Sequence, residues 1–383
     1  MEHSGMKILR VALDVPLDTL FDDTAADQGA IAIGDRFLVS FGRRQMVGVV
    51  AGIADHSDLP PGRIKPVIQV FRDTPPLSEE IFRLLRFCAD YYHHPLGEVV
   101  LNALPVPLRQ TKPVARAKPT GYRLTEAGLA LETDALPARA IVKRKLLQSL
   151  KQAGTLSRDE IATLSPSAPQ AIREFITQGW AAECDEIADS APAQIKTDEL
   201  PPLTPPQEQA VAAILSSQNR FQVWLLHGIT GSGKTEVYLR VIAQVLQRGG
   251  QALVLVPEIN LTPQLESRFR ARFPDICQVS LHSRLSAGER LRHWSLAQSG
   301  RAQIVLGTRL ALFTPMPKLE LIVVDEEHDG SFKQQDGLRY SARDVAIFRA
   351  NQRGVPIVLG SATPSLESYH NAQSGRYRML KLT

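Results

Sequence analysis

The stretch that decides the fold is residues 223–246, VWLLHGITGSGKTEVYLRVIAQVL. An apolar run at 223–226 leads into GITGSGKT at 228–235. An amphipathic helix follows, with Val237, Leu239, Val241, Ile242, Val245 and Leu246 at helical spacing. This is the strand–loop–helix setting that a G-x-x-x-x-G-K-[ST] loop requires. Gly228, Gly231 and Gly233 let backbone N–H groups converge on phosphate oxygens, and the helix N-terminus adds its dipole. Lys234 is placed to neutralise the β- and γ-phosphates of ATP, and Thr235 to offer its hydroxyl to Mg2+. A glycine-rich turn before a helix is the plain alternative, and Lys-Thr in register behind an apolar strand disfavours it.

Downstream, short apolar runs recur at 252–256, 304–306, 321–324 and 357–359, each bounded by Gly, Pro or polar residues and separated by helix-length segments. Unbroken apolar strands alternating with helices predict a parallel sheet covered on both faces. The run at 321–324 ends in DEEH at 325–328. A carboxylate at the C-terminal end of a buried strand lies where such sheets bind ligands. Asp325 suits Mg2+ coordination and Glu326 suits orienting an attacking water. A further strand end carries GSATP at 360–364, whose hydroxyls could bond the acidic loop.

Upstream the texture differs. Strand signals at 8–15, 31–41, 46–53 and 67–71, separated by turn residues, predict a small β-barrel-like domain with helices. Ser78 caps a helix with Ile81, Leu84, Leu85 and Cys88 on one face, and Pro95 ends it. Residues 105–119, PVPLRQTKPVARAKP, read as a solvated linker. Three short helices between 139 and 180, with a strand signal near Trp180, resemble a winged helix. A second Pro- and acid-rich linker follows. The domains are therefore expected at 1–105, 121–184 and 204–383, with linkers at 106–120 and 185–203.

Charge narrows the partners. Residues 1–105 hold 10 Lys/Arg against 14 Asp/Glu (net −4), whereas 201–383 hold 21 against 14 (net +7). Non-specific affinity for nucleic acid comes mainly from neutralised phosphates, so the first segment can bind DNA only through a local pocket. The three cysteines are far apart and form no CxxC pair, which argues for buried thiols rather than a zinc site or disulfide framework. No apolar stretch reaches the ~20 residues of a membrane span, and nothing near the N-terminus reads as a signal peptide. A cytoplasmic, nucleoid-associated location with no membrane partner is expected.

Taken together, these residues resemble superfamily 2 DNA helicases, with 228–235 similar to motif I, 325–328 to motif II and 361–363 to motif III. VPE at 256–258 with LTPQ at 261–264 is similar to motif Ia, GTR at 307–309 to motif Ib, and LTPPQ at 203–207 to the element whose glutamine recognises adenine. The resemblance implies an α/β RecA-like P-loop lobe, the first helicase lobe only. Lys234, Asp325 and Glu326 become its catalytic residues; Gln207, Gly228, Gly231, Gly233, Lys234 and Thr235 hold the nucleotide; Thr235 and Asp325 hold the metal. Within the superfamily, residues 325–346 resemble the aromatic-rich loop of replication-restart helicases, which implies DNA contact by Arg309, Phe332, Lys333 and Tyr340. Rings flanked by Lys and Arg suit stacking on single strands. The front of the chain resembles the same family's 3′-DNA-binding domain, with Phe21, Asp22, Gly42 and Lys65 matching a pocket for a nascent 3′ end. Asp23 stands where that family usually has an aromatic residue.

The implied activity is ATP-dependent 3′→5′ unwinding in replication restart: recognition of stalled or abandoned forks, then initiation of primosome assembly with single-stranded-DNA-binding protein and primosome proteins. The resemblance also implies a second motor lobe with an arginine finger and a zinc-binding insertion, both expected beyond residue 383. The chain alone is expected to bind DNA without unwinding it. A non-motor fork-binding scaffold is the alternative. A P-loop ATPase unrelated to nucleic acid is disfavoured by GTR at 307–309 and by the aromatic loop.

Overall fold

The computed structural model describes residues 7–25, 30–114, 121–184 and 201–382. Of the linkers expected over 106–120 and 185–203, residues 115–120 and 185–200 lie outside them. Six strands come first: β1 (Ile8–Leu13), β2 (Phe21–Thr24), β3 (Arg36–Phe41), β4 (Arg44–Ala54), β5 (Lys65–Pro66) and β6 (Gln69–Phe71). They form a half-barrel sheet in the order β5-β2-β1-β4-β3-β6, antiparallel except where β5 runs parallel to β2. Alternation decides which face is core: Leu9, Val11 and Leu13 on β1 and Phe37 and Val39 on β3 all point into one apolar cluster. β2 escapes a reading by hydrophobicity because its sequence is FDDT.

Two helices close this sheet, α1 (Glu79–Tyr91) and α2 (Leu96–Ala103). The Ser78 hydroxyl caps α1 by accepting from the Ile81 N–H at 3.4 Å. Pro95 does not simply end α1; it is the N-cap of α2, a position that a missing N–H leaves uncompromised. Residues 106–109 form a 3-10 turn rather than solvated chain. Leu108 is buried there, and its carbonyl accepts from Arg36 at 2.7 Å.

A separate compact unit contains β7 (Gly121–Leu124), α3 (Glu126–Ala130), α4 (Ile141–Ala153), β8 (Thr155–Ser157), α5 (Arg158–Leu164), α6 (Ala168–Thr177) and β9 (Ala181–Cys184). Helices α4, α5 and α6 over the small antiparallel sheet β8-β7-β9 make the winged-helix architecture, with Leu146, Leu147, Leu150 and Phe175 at its centre. The basic residues of α4 have internal partners. Lys143 pairs with Glu174 at 2.5 Å, while Arg144, Lys145 and Lys151 donate to the carbonyls of Leu136, Leu164 and Leu131.

The third segment runs α7 (Pro205–Leu215), β10 (Gln222–Gly228), α8 (Lys234–Gln247), β11 (Gln251–Leu255), α9 (Pro263–Arg272), β12 (Gln278–Leu281), α10 (Ala287–Gln298), β13 (Ile304–Gly307), β14 (Leu319–Asp325), α11 (Ala342–Arg353), β15 (Pro356–Ser361), α12 (Leu366–Gln373) and β16 (Arg378–Leu382). All seven strands are parallel, in the order β12-β13-β11-β14-β15-β10-β16. Helices on both faces bury every residue of β11 and β15, which is why these strands read as continuous apolar runs. Among the described residues, no helix is long and apolar enough to cross a membrane.

The half-barrel and this lobe belong to one compact unit, joined where α1 meets α11. Phe87 stacks on Phe348 with centroids 3.7 Å apart and planes 6° from parallel. Beside them Arg349, fully buried, donates to Glu80 at 2.9 Å and to the carbonyls of Leu312 and Thr314. A buried guanidinium stripped of its counter-charge is costly. Glu80→Ala is expected to lower stability by about 3–5 kcal/mol, read from the denaturant midpoint. Arg83→Ala, whose pair with Glu79 is exposed, should cost less than about 1 kcal/mol. Equal midpoints for the two variants would refute the anchoring role.

Candidate functional site

The loop between β10 and α8 is shaped by two glycines in the left-handed region, Gly231 at φ +86° and Gly233 at φ +85°. A side chain at 233 would also collide with Gln207, 2.2 Å away. The turn delivers Lys234 to the first position of α8, where the residue is 7% exposed. The ammonium donates to the Gly228 carbonyl at 2.9 Å and lies 3.8 Å from Glu326 Oε1. Asp325 and Glu326 arrive from the end of β14. Glu326 adopts φ +49°, an uncommon conformation for a residue with a side chain, and this turns the chain sharply away from the sheet. Lys234, Thr235, Asp325 and Glu326 thus line one cavity of about 900 Å³ with Gly231 and Gly233.

Residues both inside and outside the motifs hold the acidic loop in place. The Tyr238 hydroxyl donates to Asp325 Oδ1 at 3.0 Å. It has room because residue 360 is glycine: a Cβ there would lie 1.5 Å from that hydroxyl. Burial, then the adjacent Glu326, raises the Asp325 pKa, with Tyr238 and Lys234 opposing. Burial and the same two carboxylates raise the Tyr238 phenol well above its usual range. Glu327, 2% exposed, accepts from Arg343 at 3.0 Å, from the Ser365 N–H at 2.7 Å and from the Ser368 hydroxyl at 2.9 Å. Ser361 Oγ lies 2.8 Å from His328 Nδ1, joining the acidic loop to the end of β15. The signal for Tyr238 was its place one helical turn after Lys234; Arg343 lies within the family-like stretch 325–346, but its partner is fixed only by tertiary packing.

These features fit a magnesium–nucleoside triphosphate. Two adjacent carboxylates, one with a pKa raised by burial and by the other, are a donor set that a divalent cation would satisfy. The left-handed glycine turn leaves backbone N–H groups uncovered by side chains. Gln207 bridges the start of α7 and the glycine loop. Its Oε1 accepts from the Thr204 N–H at 2.9 Å, its Nε2 donates to the Ser232 carbonyl at 3.0 Å, and it is not among the cavity-lining residues.

On the nucleic-acid side, Arg309 donates to the Ser331 carbonyl at 3.0 Å and to Gln334, so it braces the loop that follows the acidic motif. That loop is a short hairpin: Lys333 bridges to Ser341, and the Gln334 N–H donates to the Tyr340 carbonyl at 2.9 Å. The structure corrects the expectation that its rings stand exposed. Phe332 is 2% and Tyr340 3% exposed, the latter packed on Phe313 at 5.2 Å. The N-terminal domain reaches this loop, where the Ser341 N–H donates to the Tyr92 hydroxyl at 3.2 Å. Lys333 and Arg339 remain exposed.

At the end-binding side, Phe21 and Asp22 lie on β2, and Lys65 on β5 pairs in register with Asp23. Phe21 meets Phe41 edge-on at 5.1 Å, next to Gly42, which makes the β3–β4 turn at φ +60°. The Ser57 hydroxyl donates to Asp22 Oδ2 at 2.5 Å. Phe21, Asp22, Gly42 and Lys65 therefore share one region of the half-barrel.

A glycine-turn lysine facing strand-end carboxylates on a parallel sheet defines a P-loop motor lobe, and residues 204–372 match the DEAD/DEAH box helicase family model. Residues 10–105 match the model of the PriA 3′DNA-binding domain. The chain is 40% identical to the replication restart protein PriA of Haemophilus influenzae over 99% of its own length and 52% of that protein's. It is 32% identical to the PriA of Bacillus subtilis over 98% of its own length and 56% of that protein's. The structure of RecG bound to a three-way DNA junction aligns at 19% identity and TM-score 0.37, over 67% of this chain and 36% of that one, too loosely to argue from. Over most of its length the chain is similar to replication restart proteins PriA, and it spans about half the length of the curated relatives it matches.

The residue at the family's aromatic position carries a pH signature. Asp23 is 6% exposed, and its pKa is pushed up to about 6 by burial and by Asp22, against the pull of Lys65. The folded protein thus holds this proton more tightly than the unfolded chain, so stability falls as pH rises from about 4 to 6 and stays lower above. Asp23→Asn removes the buried charge. It is expected to stabilise the protein by about 1–3 kcal/mol at pH 7.5 and to change little at pH 4. Denaturant midpoints measured across that window test this; a variant that gains nothing at pH 7.5 refutes it.

Proposed function

We propose that this chain is the nucleotide-binding and DNA-engaging portion of an ATP-dependent 3′→5′ DNA helicase of replication restart. It recognises stalled or abandoned forks through the nascent 3′ end and initiates primosome assembly, with single-stranded-DNA-binding protein and primosome proteins as partners. The observation that carries this reading is the convergence of Lys234, Thr235, Asp325 and Glu326 on one cavity, in a compact unit that also includes a 3′-DNA-binding fold.

In this reading Lys234 leaves the Gly228 carbonyl to neutralise phosphate charge, and Gly231 and Gly233 present backbone N–H groups to the same oxygens. Thr235 and Asp325 hold Mg2+, which supplies charge compensation on the phosphate oxygens when bound. Glu326 orients the attacking water. Arg309, Lys333 and Arg339 meet the backbone of the bound strand, while Phe332 and Tyr340 set the shape of the loop from beneath. At the half-barrel, Ser57 fixes Asp22 so that its carboxylate accepts a hydrogen bond from a free 3′-hydroxyl, between Phe21 and Lys65 and beside Gly42. The second motor lobe and the zinc-binding insertion belong, in this proposal, to the remainder of the full-length protein.

Lys234→Ala is expected to weaken Mg2+–ATP binding at least about tenfold while leaving fork binding in place, measured by titration of the 383-residue chain. Undiminished nucleotide binding by the variant would rule out this site. Forks ending in a 3′-phosphate should bind roughly tenfold or more weakly than forks ending in a 3′-hydroxyl, through like-charge repulsion with Asp22. Equal affinity for the two ends would remove the end-recognition part of the proposal.

A further inference from the structure

A second cavity, of about 180 Å³, lies where the half-barrel domain packs on the motor lobe. The 3-10 turn at 106–109 meets α10 there, so the walls come from both parts of one compact unit. Asn102 and Arg109 line it from the half-barrel side, Arg290 and Trp294 from α10, and Thr308 and Arg309 from the turn after β13. Donors dominate its polar side chains. Arg109 spends its guanidinium on neutral oxygens, the Leu104 and Asn102 carbonyls at 2.9 Å and the Asn102 amide oxygen at 3.0 Å. Arg290 donates to the His282 carbonyl at 2.8 Å, and Arg309 is held by Ser331 and Gln334. No ion pair of these three guanidinium groups occurs among the described residues. Burial lowers the Arg109 pKa against the pull of Asp14, and the charge of Arg290 lowers it further. The carboxylate in the wall, Glu258, accepts from the Ser283 hydroxyl. Trp294 is 4% exposed, and its Nε1–H has no hydrogen-bond partner among the described residues; nor has Nδ1 of His282, in the same wall.

We propose that this crevice seats one phosphodiester of a bound DNA strand, drawn by Arg109 from the half-barrel and by Arg290 from α10. Two guanidinium groups that repel each other and lack a counter-charge are relieved by an anion between them, and their forked N–H groups match phosphate oxygens. A buried N–H without a partner costs free energy until an acceptor arrives, and a phosphate brings several. An unpaired base also carries acceptors, but it has no charge to offset the two arginines. The crevice is small enough for one such group and too small for a length of chain. This inference rests on the DNA-engaging reading above and extends it. The strand's track then includes the half-barrel as well as the motor lobe, and the phosphate site is complete only while the two are docked.

The test titrates the full 383-residue chain and its variants with a single-stranded oligonucleotide bearing hydroxyl ends, over a series of salt concentrations. Each phosphate contact releases counterions, so the slope of log affinity against log salt counts the contacts. Arg290→Gln and Arg109→Gln are each expected to weaken binding roughly tenfold at low salt. Each should also flatten the slope by about 0.7, the share of one phosphate on a single strand. Arg290→Lys keeps the charge and should keep the wild-type slope. The same oligonucleotide with a terminal phosphate should give the same differences between wild type and variants. Lost affinity with an unchanged slope marks a purely structural role and overturns the proposal. So do glutamine variants whose affinity and slope both match wild type. A slope difference seen only with the terminal phosphate overturns it in favour of a strand-end site. Wild-type chain that binds no single strand overturns the DNA-engaging reading itself, an outcome distinct from the other three.

Discussion

The rest of the structure depends on a lysine held in a place where a lysine is expensive. At 7% exposure the Lys234 ammonium needs compensation, and it finds a carbonyl at 2.9 Å and a carboxylate at 3.8 Å. Meeting that need fixes the sheet. β14, which brings the carboxylates, and β10, which brings the glycine loop, are separated by β15, so the middle strand has to carry something small at its end. Gly360 does so, pairing in register with Asp325 on one side and Leu226 on the other. The space it leaves is filled by the Tyr238 hydroxyl, which orients Asp325. Parallel pairing, a missing Cβ and one phenol are thus parts of a single arrangement around one charge.

From that arrangement a continuous set of polar contacts reaches the N-terminal domain. Glu327 is clamped by Arg343 at the start of α11. The same helix carries Arg349, whose guanidinium holds the turn after β13 through the Leu312 and Thr314 carbonyls and holds α1 through Glu80. Ser341, the N-cap of α11, touches Tyr92 just past the end of α1. α11 is therefore the shared wall between the acidic motif, the turn that carries Arg309 and the half-barrel. Phe332 and Tyr340 are buried beside it, Tyr340 against Phe313. The aromatic loop is packed against Phe313 and approached by the N-terminal domain, so its exposed face is polar and basic rather than aromatic.

Much of the motor lobe was legible in the sequence because its central strands are buried on both faces. Such strands write themselves as uninterrupted apolar runs, and the glycines between them have few other reasons to sit before a lysine. The edge strands were not legible for the converse reason. β12 reads QVSL and β16 reads RMLKL, mixed patterns with one solvated face, and FDDT on β2 offers a single apolar residue. The turn at 106–109 was hidden by composition: four residues with one proline and one arginine look solvated until Leu108 is seen packed beneath Arg36. Exposure of Phe332 and Tyr340 was misjudged because charged neighbours in sequence say little about a hairpin whose two roots fold inward while its tip carries the charges. Arg343, Tyr238 and Arg349 lie in helices with ordinary spacing, and only the packing of one element on another reveals their partners.

Gln207 shows how one side chain can satisfy a motif and still be occupied by structure. Thr204 and Gln207 form a capping box, in which the glutamine oxygen returns to the N-cap N–H and fixes the start of α7. The same amide then uses its nitrogen on Ser232, inside the glycine loop, at a point where a side chain on Gly233 would collide with it. One amide thus ties the start of α7 to the loop after β10, so the element that precedes the central sheet and the loop that follows its first strand are held by a single side chain. Because Gly233 leaves room for that amide, the missing Cβ serves the bracing contact as well as the left-handed turn.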